Sequence, residues 1–192
     1  MNTASQPIAA PTVTRWTRIH ILLHWTAAGL IALQFLTGDS MSSLFRANLA
    51  GGPVDDDGLR SALAPLHMAI GLTVFLAVAL RVWDRFAHGR PPHPPGEPNW
   101  AQRLAAVTQF ALYATVLSMP VAGAIAWFTG NGELGSLHAL ASKVLLGLVV
   151  LHSAGALANH YWFKTDVLVK MLPGHGRESG VATQEAAVVE RR

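Results

Sequence analysis

The feature that most constrains this chain is an apolar, helix-length run with a histidine near each end, LHALASKVLLGLVVLH, from Leu137 to His152. His138 and His152 are fourteen residues apart. In an α-helix that spacing is about 21 Å of rise and almost four full turns. Both imidazoles therefore lie on nearly one face of the helix. The hydrocarbon core of a bilayer is ~30 Å thick, so each ring falls near one side of it. Two histidines stacked in this way imply two ligand sites in series across a membrane.

Composition supports a membrane setting. Of 192 residues, 51% are hydrophobic and 13% charged, against about 25% charged in an ordinary soluble domain. The apolar residues gather in four long runs joined by short polar segments. Cysteine is absent, which excludes disulfides, cysteine-ligated iron–sulfur clusters, zinc–cysteine sites and covalent c-type haem attachment. Any metal must rely on His, Met or oxygen ligands, and the chain has nine histidines.

Residues 1–14, small and polar with two prolines, are expected to be a disordered tail. A cleaved signal peptide is not expected, because Arg15 and Arg18 come late and the apolar run behind them is of spanning length. The hydrophobic pattern places four spans at about 19–37, 62–83, 104–128 and 137–162, within a single membrane domain over 15–173. The connection 38–61 reads as a loop, with Gly51-Gly52-Pro53 and the acidic run Asp55-Asp56-Asp57. The second connection, 84–100, is proline-rich and reads as an extended aqueous linker. Pro120 and Gly123 are expected to kink the third span, and 129–136 to form a tight Gly-rich turn. Residues 167–172 are expected along the interface and 174–192 as a disordered tail.

Lys and Arg set the orientation. Arg15, Arg18, Arg81, Arg85, Arg90, Arg103, Lys164, Lys170, Arg177, Arg191 and Arg192 share one side, eleven of the fourteen. That side is expected to be cytoplasmic, with both termini in it and the acidic loop outside. The net charge of +3 then follows from topology and is not read as nucleic-acid binding.

Depth pairs the intramembrane histidines. His24 and His152 lie toward the inner ends of the first and fourth spans. His67 and His138 lie toward the outer ends of the second and fourth. Two facing imidazoles on fixed helices can clamp a flat haem from both axial positions. The residue four after each histidine is small: Ala28, Gly71, Ser142 and Ala156. Position i+4 shares the face of position i, so a macrocycle edge could pack there. Small residues also favour plain helix contact in membranes. His20 shares the face of His24 and competes with it, but lies nearer the interface, so His24 is preferred. His160 is rotated ~80° from His152 and stands in an aromatic group with Tyr161, Trp162 and Phe163, as an interfacial residue or a donor to a quinone head group. Arg18, Arg81, Arg85 and Lys143 are candidate partners for haem propionates or an anion, or else topology anchors. His88, His93 and His175 lie in solvent segments and receive no role.

The segments RIHILLHW (18–25), LHMAIG (66–71), the proline-rich 91–98, LSMPVAG (117–123) and LH (137–138) through His152 to HYWFK (160–164) resemble a bacterial di-haem cytochrome b561 of the four-helix, inner-membrane kind. The resemblance spans about residues 15–173. It implies an all-α membrane bundle with two b haems on residues matching His24, His67, His138 and His152. It further implies electron transfer across the membrane, usually with the quinone pool, so ubiquinone and membrane lipid are the expected partners. Some members oxidise superoxide at the outer face. Close relatives often carry two adjacent histidines where this chain has Asn159-His160. The acidic outer loop would repel superoxide, and Lys143 is the one basic feature pulling the other way.

Two ligands on each iron leave no open position, which speaks against oxygen activation and for relaying single electrons. A competing expectation is a membrane-anchoring cytochrome b subunit that carries electrons for a separate redox partner protein. A metal-ion transporter using the same histidines would need intramembrane carboxylates, and the four expected spans contain none.

Overall fold

The computed structural model describes residues 15–51, 58–93 and 96–174, with the backbone alone at positions 60 and 61. The expected N-terminal tail, all of the expected C-terminal tail but Gly174, the acidic run 55–57, Pro94 and Pro95 lie outside the described residues. Four helices follow one another: α1 Arg18–Ala50, α2 Gly58–His88, α3 Asn99–Thr129 and α4 Gly132–Tyr161. A short 3₁₀ turn, Val169–Met171, comes after them. All four are long and apolar enough to cross a membrane. Among the described residues there is no strand.

α1 packs along α2 and α3 along α4, as two antiparallel hairpins. The start of α1, the end of α2, the start of α3 and the end of α4 share one end of the bundle, here the terminal face. The end of α1, the start of α2, the end of α3 and the start of α4 lie at the opposite, distal face. Ala27, Ile70, Val74, Val78, Val116 and Leu145 form the buried apolar centre. Large apolar side chains cover the outside instead: Leu36, Phe110 and Phe128 are 76%, 74% and 81% exposed. Apolar surface on that scale would not stay in water, and lipid is its solvent. Trp83 and Trp162, both exposed, sit at the terminal boundary, where an aromatic belt belongs.

The helices run past the expected spans. Gly38-Asp39-Ser40 looks like a break, yet α1 continues to Ala50. Packing overrides propensity there: Phe45 lies against Trp127 with ring centroids 6.2 Å apart and fills the space a side chain at Gly135 would need. α4 likewise starts at Gly132, five residues before the expected start, because Asn131 caps it, its side-chain oxygen accepting from the Leu134 N–H at 3.0 Å. The turn before it is only Gly130-Asn131, with Gly130 at φ 63°, a conformation an L side chain resists.

At the terminal face the chain turns back after α4 through Lys164, at φ 52°. The returning segment docks on α1, where the Trp25 indole N–H donates to the Met171 carbonyl at 2.7 Å.

Candidate functional site

Four histidines meet in two pairs across the bundle. At the terminal face, His24 of α1 and His152 of α4 have ring centroids 6.1 Å apart, with planes at 65°. At the distal face, His67 of α2 and His138 of α4 are 6.4 Å apart, at 71°. The buried apolar centre lies between the two pairs.

Hydrogen bonds orient the distal rings. The Thr37 hydroxyl donates to the Leu33 carbonyl at 3.1 Å, so its oxygen accepts from the His67 Nδ1–H at 2.9 Å. The His138 Nδ1–H donates to the Met119 carbonyl at 3.0 Å. In both rings the proton is held on Nδ1, which leaves the Nε2 lone pair for a metal. Such outer hydrogen bonds fix the tautomer and ring angle of ligating histidines. Gly123 makes the His138 placement possible, since a Cβ there would stand 3.0 Å from the ring. The sequence reading of Gly123 as a kink missed this role.

The separation itself tests the fit of a metal between facing rings. A metal–nitrogen bond of ~2.0 Å on each side, with about 1.1 Å from nitrogen to ring centre, asks for centroids about 6 Å apart. Both pairs have that separation. Among the described residues no group of three His, Cys, Asp or Glu side chains is arranged to hold a bare metal ion. Two opposed imidazoles are instead the donor set for a macrocycle that brings its own nitrogens. The residues fit haem and do not fit an ion-transport site.

His20 stands apart from the pairs. It is completely buried and stacked on Trp16, with centroids 4.3 Å apart. Both its ring nitrogens are taken, one by Asp84 and one by Arg81, each at 3.2 Å. Asp84 is a residue the sequence reading missed, placing it in the aqueous linker. It is buried within α2 and also holds Thr17 and His88. A carboxylate near a helix C-terminus opposes the macrodipole, and that was the available signal that it had partners.

The other candidates divide. Arg81 reaches the terminal end of the site, bonded to His20 and 6.0 Å from the Tyr113 ring centroid. Arg18 is exposed and faces the returning segment near Trp25 and Pro173. Lys143 is exposed on the outer surface of α4. Its position is rotated ~140° from His138, so the structure does not bring it to the distal pair. His160 is half-buried, edge-on to Tyr161 at 4.8 Å. Beside it an open apolar groove of about 580 Å³ runs over Leu157, Ala158, Tyr161 and Trp162. Asn159 faces inward. Its amide donates to the buried Glu97 carboxylate at 3.1 Å, whose other oxygen holds His93 at 3.1 Å. The end of the proline-rich connection is therefore tied under α4 and is not a free aqueous linker. Of the small i+4 residues, Gly71 lies against the Gln34 side chain of α1, whose amide nitrogen would stand 2.9 Å from a Cβ there.

A bundle of four apolar membrane-length helices with imidazoles opposed across it defines a membrane-embedded haem protein of the b type. The sequence comparisons agree: the model of the prokaryotic cytochrome b561 family matches residues 15–174. The chain belongs to that family. It is similar to cytochrome b562 of Cereibacter sphaeroides, 29% identical over 82% of this chain and 94% of the relative. It is also similar to cytochrome b561 homolog 1 of Escherichia coli K12, 21% identical over 84% of this chain and 98% of the relative. A third relative is the probable superoxide oxidase CybB of Yersinia pestis, 22% identical over 56% of this chain and 73% of the relative. The protein is thus a multi-pass membrane cytochrome that carries haem b and transfers electrons across the membrane.

Proposed function

We propose that the chain binds two b haems, one between His24 and His152 and one between His67 and His138, and relays single electrons between the faces and the quinone pool. The observation that carries this reading is the matched spacing of the two imidazole pairs, 6.1 and 6.4 Å. Haem supplies a one-electron carrier at each site. The protein's own part is to hold the imidazoles in one tautomer, exclude water with lipid-facing apolar helices and set the charge around each pair. Arg81 is the candidate propionate partner at the terminal pair. On the Lys and Arg distribution the terminal face is cytoplasmic, and similarity to bacterial relatives supports the inner membrane of a bacterial cell.

The quinone site of this proposal is the terminal face, supported by the apolar groove over Leu157, Ala158, Tyr161 and Trp162 next to His160. Superoxide, named for one relative, is the weaker substrate reading, because Lys143 faces away from the distal pair. Dithionite-reduced protein, freed of excess reductant and mixed with a short-chain ubiquinone, should return to the oxidised spectrum within seconds. His160→Ala should slow that return at least tenfold with the haem content unchanged. Reoxidation only by a separate redox protein, and none by the quinone, would replace this reading with the membrane-anchor one.

The outer hydrogen bonds give a second test. Thr37→Val keeps the shape of the side chain but leaves the His67 Nδ1–H without an acceptor. Loss of such a partner typically weakens metal binding by about 10–100-fold. The expected outcome is faster haem loss from the distal site alone, measured by transfer to an apo-haem acceptor.

A further inference from the structure

A buried polar chain runs through the terminal end of the bundle, and haem ligation leaves it unexplained. Thr17 Oγ1 accepts from the His20 backbone N–H at 2.9 Å and donates to Asp84 Oδ2 at 2.8 Å. His20 Nδ1–H donates to the same carboxylate oxygen at 3.2 Å. The other oxygen, Oδ1, faces His88 Nδ1 at 2.9 Å. On its far side, His20 meets Arg81 Nε at 3.2 Å. A guanidinium can only donate, so His20 Nε2 accepts, and the imidazole is neutral with its proton on Nδ1.

The order of the groups matters. Carboxylate, imidazole and guanidinium stand in line. Among the described residues no carboxylate closes directly on Arg81. A direct Asp84–Arg81 pair would neutralise both buried charges at short range. The inserted imidazole keeps them apart and carries the guanidinium toward the bundle interior, to 6.0 Å from the Tyr113 ring. His20 lies one helical turn from His24 on the same face, so the guanidinium bonded to it stands within about one turn of the His24–His152 pair. Trp16, stacked on His20, and the Thr17 cap fix the imidazole so that it cannot swing away.

We propose that His20, braced by Asp84, is a positioning residue that holds the Arg81 guanidinium beside the His24–His152 pair, where its positive charge raises that site's affinity for an electron. The inference rests on the assignment of that pair as haem ligands. Taking up one electron lowers the charge of the site by one, and a cation held nearby in low dielectric favours that change.

The test is a spectroelectrochemical titration of the purified full-length protein with haem bound, resolving the two haems. Arg81→Gln should lower the equilibrium constant for reducing the terminal haem at least tenfold, which for a one-electron couple is about 59 mV. His20→Gln exchanges one uncharged side chain for another, so charge alone predicts no change, whereas lost positioning predicts a fall in the same direction. The double variant should fall no further than Arg81→Gln alone. Asp84→Asn separates the two effects by sign. Removing a negative charge would raise the potential, and releasing His20 would lower it; a fall is expected. The distal haem should keep its potential throughout.

An unchanged terminal potential in His20→Gln, a rise in Asp84→Asn, or additive falls in the double variant would overturn the proposal. If His20→Gln assembles without haem, the sign of the Asp84→Asn shift decides alone. Failure of the ligand assignment is visible separately: His24→Ala and His152→Ala would then leave both haems in place.

Discussion

His152→Ala should leave the protein with one haem where the wild type has two, and His24→Ala should do the same. The argument is geometric. The two rings face each other at 6.1 Å across α1 and α4, and among the described residues no other imidazole is placed to take over. His20 is the nearest substitute in sequence, one turn away on the same face, but its two nitrogens are committed to Asp84 and Arg81. Freeing Arg81 would strand a buried charge, at a cost of several kcal/mol. His20 therefore cannot rescue His24→Ala. The remaining haem in these variants should be the distal one, with its low-spin spectrum intact. Electron transfer from an external reductant to ferricyanide trapped in proteoliposomes should fall to the level of protein-free vesicles, because the His138 and His152 positions are ~21 Å apart along α4 and the relay needs both sites. Retention of two haems in His24→Ala would show that the terminal ligand is another residue.

Gly123→Val should remove the distal haem and spare the terminal one. A single Cβ at this position already stands 3.0 Å from the Cε1 and Nδ1 atoms of His138, closer than carbon atoms normally approach. Valine adds two more carbons on a stiff, β-branched stem. The ring must move off α3, and in moving it loses the Met119 carbonyl that holds its Nδ1 proton. A site 1 Å out of place binds its metal poorly, since both axial bonds need the rings opposed. Gly147→Ala is the matched control, on the same helix as His138. Its added Cβ meets nothing within 4 Å, and both haems should remain. Equal haem loss in the two variants would mean that general destabilisation, and not the His138 contact, is responsible.

Much of this was legible in the sequence, and the part that was not has a common cause. The class follows from four apolar runs, and the depth argument groups His24 with His152 and His67 with His138, the rings that stand together in the fold. Periodicity within one helix is enough for that. It could not separate His20 from His24 by more than a preference, because they share a face and differ in what surrounds them. Asp84 and Arg81 of α2 engage His20, His152 of α4 faces His24, and no spacing rule in α1 contains these contacts. The same limit hid Thr37 and Met119, whose contacts with His67 and His138 cross between helices. The helix ends were misjudged for a related reason: Gly38-Asp39-Ser40 and Gly130 to Gly135 read as breaks, but Phe45 packing on Trp127 and the Asn131 cap extend α1 and α4 past the apolar stretches. The small residue Gly71 was legible as a close approach, but that Gln34 of α1 is what approaches it was not.

The central claim, two haems on two imidazole pairs, is tested most directly by one measurement. The purified protein, expressed with haem available, is examined by its dithionite-reduced minus oxidised visible spectrum, with haem quantified per chain. The account predicts two b-type haems per chain, both low-spin and six-coordinate. One haem per chain would contradict the two-site assignment, and a high-spin spectrum would contradict paired imidazole ligation.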